Sequence, residues 1–276
     1  MPIFHAIVLG VVQGLTEFLP ISSSGHLLIV PWLLGWNDLD DESVKKTFDV
    51  ALHLGTFFAV LGYFWRDVTV YVRDGLRVLW SRGRQVTPEG RLGWLLVLAT
   101  LPAAAVGAIF EDTIDERLGT PGIIAVSLIG FGLLLAWADR STGQRKVDDF
   151  ASRDALITGA AQALALNPGT SRSGITVTAG RFLGFDRDAA VRISFLMSLP
   201  VIAGAVVFKT GGAIVDGIPE DLIVPMIVGI ITSGIAGWFA VWGTLRLVRN
   251  HSLMLFVWYR VTLGVAILVV MATGLR

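Results

Sequence analysis

Two stretches of this chain, "GVVQGLTEFLPISSSGHLLIVPWLLG" (10–35) and "GAAQALALNPGTSRSGITVTAGRFLG" (159–184), align without a gap at an offset of 149 residues. They agree at eight positions: Gly10/Gly159, Gln13/Gln162, Leu15/Leu164, Ser22/Ser171, Ser24/Ser173, Gly25/Gly174, Leu34/Leu183 and Gly35/Gly184. An internal repeat constrains the fold more than any other feature, because each copy must serve as the same structural unit. The period is far too long for a solenoid and fits a membrane protein made of two duplicated halves. Composition agrees, since 54% of residues are hydrophobic and only 16% charged, against about 25% charged in soluble domains. The solvent that explains the missing charge is lipid, and the 31 glycines suit close helix packing in a bilayer. Zero formal net charge argues against a nucleic-acid partner, and the absence of cysteine excludes disulfides and thiolate metal sites. The start "MPIFHAIVLG" lacks the basic flank of a signal peptide, so no cleavage is expected.

A spanning helix needs about 20 mostly apolar residues. Full-length candidates are 48–65, 92–110, 122–138, 193–208, 222–245 and 254–275. The repeat stretches are instead pairs of shorter apolar pieces, about 3–17 then 22–36 and about 155–166 then 171–185, broken by "LPISSSG" and "NPGTSRSG". Proline and glycine stop the first piece of each pair, and serine caps the next. Each pair is either a helical hairpin that crosses fully or a re-entrant hairpin that turns at mid-membrane. The shortness of the pieces favours the second. The expected fold is therefore an all-α polytopic membrane protein forming a single integral membrane domain over 1–276, with halves of about 1–140 and 150–276. Each half holds a broken hairpin and three spans. Three is odd, so the second half lies upside down relative to the first, and the breaks meet near the midplane.

Charge sets the orientation. Loops on the side opposite the amino terminus hold fourteen basic residues, from Arg66 to Arg249; the near side holds five, Lys45, Lys46, Arg117, Lys209 and Arg276. The positive-inside rule makes the richer side cytoplasmic and opens the "SSSGH" hairpin to the outside. The acidic runs "NDLDDE" (37–42) and "EDTIDE" (111–116) lie on that outer side.

A helix that starts inside the membrane points unpaired N–H groups and a positive dipole end ahead of it, a ready anion site. Two such ends, following Pro20 and Gly169, converge in an inverted repeat. Arg172, between Ser171 and Ser173, adds five donors, and an intramembrane arginine is a functional candidate unless it only pairs with Glu17. Glu17 shares a helix face with Gln13 and sits near a helix carboxyl end, so Arg172 or a divalent cation should compensate it. His26 closely follows Ser22, Ser23 and Ser24. An imidazole beside a hydroxyl can activate a nucleophile or protonate a leaving group, although a lone membrane histidine is more often a packing residue. Glutamate, serine, histidine, arginine and two helix amino ends suit hydrolysis of a phosphate ester or anhydride. For His53 and Arg260, packing or interfacial snorkelling is expected. "VDDFASRD", with Asp148 and Asp149, reads as a solvated helix start, and 66–91 as an amphipathic surface helix touching anionic lipid.

"GLTEFLPISSSGH" and "PGTSRSGIT", with "KTFDVALHLGTFFAV" (46–60) and "ISFLMSLP" (193–200), resemble the undecaprenyl-pyrophosphate phosphatases, bacterial integral membrane enzymes of the bacitracin-resistance type. The resemblance covers essentially the whole chain. It implies hydrolysis of the polyprenyl pyrophosphate to monophosphate and phosphate, recycling the C55 carrier for peptidoglycan synthesis. It also implies an inner-membrane location, a site facing the periplasm and help from a divalent metal ion, Mg2+ or Ca2+. By position Glu17, Ser23, His26, Ser171, Arg172, Ser173 and Thr176 match the family motifs, Gln13 replaces the commoner glutamate, and Asn167 replaces a large apolar residue. The expected catalytic set is Glu17, Ser23, His26 and Arg172, with Glu17 near the metal. Gln13, Ser22, Ser24, Gly169, Ser171, Ser173 and Thr176 are expected to bind substrate. Partners are the lipid substrate, membrane lipids and a second copy in a homodimer. Ser23, His26 and water all stand open as nucleophile. The rival reading is a polyprenyl-phosphate transporter or flippase, which needs the same anion site; a scaffold explains the matched polar knots poorly.

Overall fold

A computed structural model describes residues 1–38, 41–216 and 219–275, without the side chains of 42–43, 111–117 and 208–216. The side chains of Arg117 and Lys209, Arg276, and much of the two acidic runs thus lie outside the described residues. The helices are α1 (Ile3–Phe18), α2 (Ser23–Leu34), α3 (Glu42–Tyr63), α4 (Trp65–Trp80), α5 (Pro88–Leu118), α6 (Pro121–Asp139), α7 (Ser152–Ala163), α8 (Arg172–Phe182), α9 (Arg187–Asp216), α10 (Glu220–Asn250) and α11 (Met254–Ala272). Within α5, α6, α9, α10 and α11 lie five stretches long and apolar enough to cross a bilayer; α3 joins them if it and α4 form one broken span. Every apolar run of the sequence has become a helix. The four pieces of the broken pairs have 16, 12, 12 and 11 residues, which at 1.5 Å per residue is less than the ~30 Å of hydrocarbon.

The surface-helix expectation for 66–91 resolves into α4, bent 85° from α3, and a turn before Pro88. The bend lets α4 lie on the start of α5, where Trp94 Nε1 donates to Gly75 O at 3.0 Å. Pro88 at the first position of α5 and Thr87, which accepts from Gly90 N at 3.0 Å, start that helix cleanly.

Close approach organises the core. α10 packs between α1 and α3, α5 packs on α7, and α11 packs on α6. A Cβ added at Gly14 would lie 2.5 Å from Ser233 O, and one at Gly55 would lie 2.0 Å from Ser233 Oγ and 2.3 Å from Ile230 O. Small residues at these crossings let backbones touch where lipid supplies no hydrophobic drive. Gly55→Ala should therefore destabilise by about 1–3 kcal/mol through overpacking, read as a lowered thermal midpoint in detergent. Gly130→Ala, with nothing within 4 Å of its added Cβ, should leave the midpoint unchanged. The repeat partners Gly10 and Gly159 sit at equivalent crossings, against α10 and α5 respectively.

At the basic end, Arg145 ties the α6–α7 connection to the end of α8. Its guanidinium takes both oxygens of Asp154, at 3.0 and 2.5 Å, and covers the Phe185 ring at 4.2 Å. The Asp154 carboxylate, by hydrogen bond and by charge, raises the Arg145 pKa above the ordinary arginine value. Asp149 accepts from Lys146 N at 2.8 Å, so that carboxylate shapes the turn before α7.

Candidate active site

Both breaks are built alike. Ser22 (φ 77°) and Ser171 (φ 73°) hold left-handed backbone, rare for residues with a side chain. Each accepts from the third N–H of the helix it caps, Gly25 N at 3.3 Å and Gly174 N at 3.1 Å. The earlier N–H groups, of Ser23 and Ser24 in α2 and of Arg172 and Ser173 in α8, have no partner within their helices. Gly169 (φ 90°) brings the second break against the first: its N–H donates to Ser22 Oγ at 3.0 Å, and Ser173 Oγ donates to Leu19 O at 3.0 Å. The two polar knots of the sequence are one seam.

Glu17 is the centre of that seam and is buried. Arg172 Nη2 donates to its Oε1 at 3.0 Å; Ser23 Oγ donates to its Oε2 at 2.7 Å, and Gln13 Nε2 to the same oxygen at 3.2 Å. Arg172 Nη1 reaches Ser194 O at 3.2 Å, while its Nε is buried without a partner, an open donor beside the carboxylate. Gln13 Oε1 is a buried open acceptor. Of the two compensating charges expected for Glu17, the structure supplies Arg172. Among the described residues no three His, Asp or Glu side chains converge on a common point, and both Glu17 oxygens are engaged. The side chains present do not by themselves fit a divalent ion.

The remaining predicted residues divide. Ser24 is exposed at the wall of a cavity of about 300 Å³ that also meets His53, Asp49, Lys45, Leu166 and Pro168. His26 meets no serine hydroxyl: its Nδ1 donates to Ser22 O at 2.6 Å, and its Nε2 pairs with Tyr259 OH at 2.7 Å, the two rings stacked at 5.7 Å. Thr176 bonds Arg172 O at 2.8 Å and Ser194 Oγ at 2.7 Å, joining α8 to α9. Asn167 donates to Ser127 Oγ and Thr170 Oγ1, at 2.8 and 3.1 Å, and so braces the second break against α6.

Two residues outside the expected site set also reach the seam, and for Arg260 the structure bears out packing over snorkelling. Arg260 does not snorkel. It is wholly buried, and its guanidinium donates to Pro20 O (3.2 Å), Leu128 O (3.2 Å), Gly169 O (3.0 Å) and Thr170 O (2.9 Å), with a longer contact to Ser127 O. One cation thus stitches both breaks to α6. His53 Nε2 faces Glu17 Oε2 at 3.8 Å. The only hint in the sequence was an ionisable residue inside an apolar span.

Known proteins resemble this chain over nearly its whole length. The family described as "Bacitracin resistance protein BacA" matches residues 6–266. A Geotalea daltonii protein named undecaprenyl-diphosphatase is 46% identical, over 99% of this chain and 100% of its own. Proteins of that name from Geobacter sulfurreducens and Pelotomaculum thermopropionicum are 48% and 42% identical, over 97% and 99% of this chain and 98% of each relative.

Proposed function

The chain belongs to the bacitracin resistance protein BacA family, and from that membership and the geometry around Glu17 we propose that it hydrolyses undecaprenyl pyrophosphate to undecaprenyl phosphate and inorganic phosphate. The reaction recycles the lipid carrier for cell-wall synthesis and gives resistance to bacitracin. The observation that carries this reading is the 2.7 Å hydrogen bond from Ser23 Oγ to Glu17 Oε2, beside a guanidinium with an open donor. A hydroxyl held by a buried carboxylate is an activated nucleophile.

Phosphoryl transfer needs positioning and charge stabilisation above all. Arg172 and the first amides of α2 and α8 receive the phosphoryl oxygens. Ser23 Oγ attacks the terminal phosphorus as its proton passes to Glu17 Oε2. The bond to the bridging oxygen breaks, and its electron pair leaves on the lipid monophosphate. Water then attacks the phosphoserine, inorganic phosphate departs, and Ser23 regains a proton. A divalent ion, Mg2+ or Ca2+, is assigned to the diphosphate itself, since magnesium is commonly held through substrate phosphates; no step above runs through it.

On this reading the two halves form an inverted-topology repeat with two re-entrant hairpins. The matched caps at Ser22 and Ser171, the matched crossings at Gly10 and Gly159, and the shortness of α1, α2, α7 and α8 all support it. The charge bias of fourteen basic residues to five supports an inner-membrane orientation with the site facing the periplasm.

The test is release of orthophosphate from C55 pyrophosphate by the purified protein in detergent. Wild type should release it, and Glu17→Ala should be slower by at least about 100-fold. Detergent provides no second compartment, so lipid binding without phosphate release would mark a carrier instead.

A further inference from the structure

On the hydrolytic reading above, we propose that His53, rather than His26, conducts the reaction's proton between Glu17 and the outer cavity. His53 lies one helical turn after Asp49 on α3, and its Nδ1 donates to Asp49 O at 2.7 Å. A carbonyl only accepts, so the proton of the neutral ring is on Nδ1 and the lone pair is on Nε2. That nitrogen faces Glu17 Oε2 at 3.8 Å. The same oxygen takes the Ser23 hydroxyl, whereas Oε1 is tied to Arg172. Ser23 Oγ, Glu17 Oε2 and His53 Nε2 therefore form one sequence of groups. It ends at the cavity, for the His53 side chain is 36% exposed and that of Glu17 only 5%.

Charge explains why the proton should move on. A protonated Glu17 would leave the Arg172 guanidinium without its counter-charge at a buried position. Transfer from Oε2 to Nε2 restores the carboxylate and creates an imidazolium beside it, so the net charge of the cluster is unchanged by the step. The O–H bond of Ser23 breaks as Oγ–P forms; the O–H bond at Glu17 breaks as N–H forms at His53; cavity water then takes the proton. When water cleaves the phosphoserine, the route returns a proton to Ser23 Oγ. The gap of 3.8 Å exceeds a hydrogen bond, and such contacts commonly tighten when substrate arrives. His26 is unsuited to the task, because Ser22 O and Tyr259 OH occupy both ring nitrogens.

Chemical rescue tests this. In His53→Ala the lost ring leaves space continuous with the cavity, which free imidazole can enter. Phosphate release should fall about 100-fold in kcat with KM within about twofold, and imidazole should restore at least about tenfold of it. His53→Gln can keep the bond to Asp49 O by donating its amide N–H, but an amide is too weak a base to take up the proton, so it should be as slow as His53→Ala and gain nothing from imidazole. Neither should His26→Ala gain from it. Activity of His53→Gln within about twofold of wild type would overturn the proposal. So would a loss in well-folded His53→Ala that imidazole leaves untouched. A wild-type protein that binds the lipid diphosphate yet releases no phosphate would instead overturn the hydrolytic reading itself.

Discussion

Arg172→Ala should lower phosphate release by about 1,000-fold or more, the largest loss expected of any single change at the seam. Two effects combine. The guanidinium bridges Glu17 Oε1 and Ser194 O while its Nε stays open, so removing it takes away the strongest donor available to the phosphoryl oxygens. A single oxyanion donor is worth about 100- to 1,000-fold in kcat. The change also strands the Glu17 carboxylate among a hydroxyl and an amide, and breaking a buried pair costs about 3–5 kcal/mol. Without that partner Glu17 would no longer be held in place to take the Ser23 proton. Arg172→Lys tests the geometry separately. An ammonium is a point charge and cannot present the planar fork that meets Glu17 and Ser194 together, so only a small part of the activity should return. Steady-state phosphate release beside binding of the lipid diphosphate checks both variants; near-normal turnover by Arg172→Ala would contradict the assignment.

Arg260→Met should damage folding before it damages chemistry. Its guanidinium serves Pro20, Leu128, Gly169 and Thr170 carbonyls, all near the point where the two breaks touch. An apolar side chain of similar length fills the space but leaves these acceptors without a donor, at about 1–3 kcal/mol for each that finds no substitute. Total stabilities are about 5–15 kcal/mol, so the variant should show a sharply reduced yield and a lowered thermal midpoint in detergent. A variant that folds and melts like wild type would show that the carbonyls are satisfied without it. The contrast with Arg172→Ala, which should lose turnover while giving a higher yield of folded protein than Arg260→Met, separates the structural cation from the chemical one.

The helices were legible in the sequence because lipid imposes a coarse rule, that every crossing segment be long and apolar. The breaks were legible because the repeat displays each one twice, with Ser22 answering Ser171 and Gly25 answering Gly174. The cluster around Glu17 followed from the same pattern, since Gln13, Glu17 and Ser23 are close in sequence and Arg172 lies in the second copy. The partners of His53 and Arg260 were not legible for the complementary reason. Neither residue belongs to a repeated motif, and each acquires its meaning from partners at least 36 and 90 residues away. His26 shows the opposite case: its serine neighbours in sequence suggested a serine hydroxyl as partner, whereas the buried ring bonds Ser22 O and the phenol of Tyr259, 233 residues on. Local spacing reports which face of a helix a side chain occupies, and only packing decides what lies across from it.

The stitch made by Arg260 also bears on when the protein becomes active during its synthesis. Every motif residue has been synthesised by Thr176, yet the cation that joins Pro20 to Gly169 and Thr170 resides in α11. A nascent chain that stops at Asn250 carries all the chemistry in unassembled form. Assembly of the seam therefore waits on membrane insertion of α11, the helix that carries this cation.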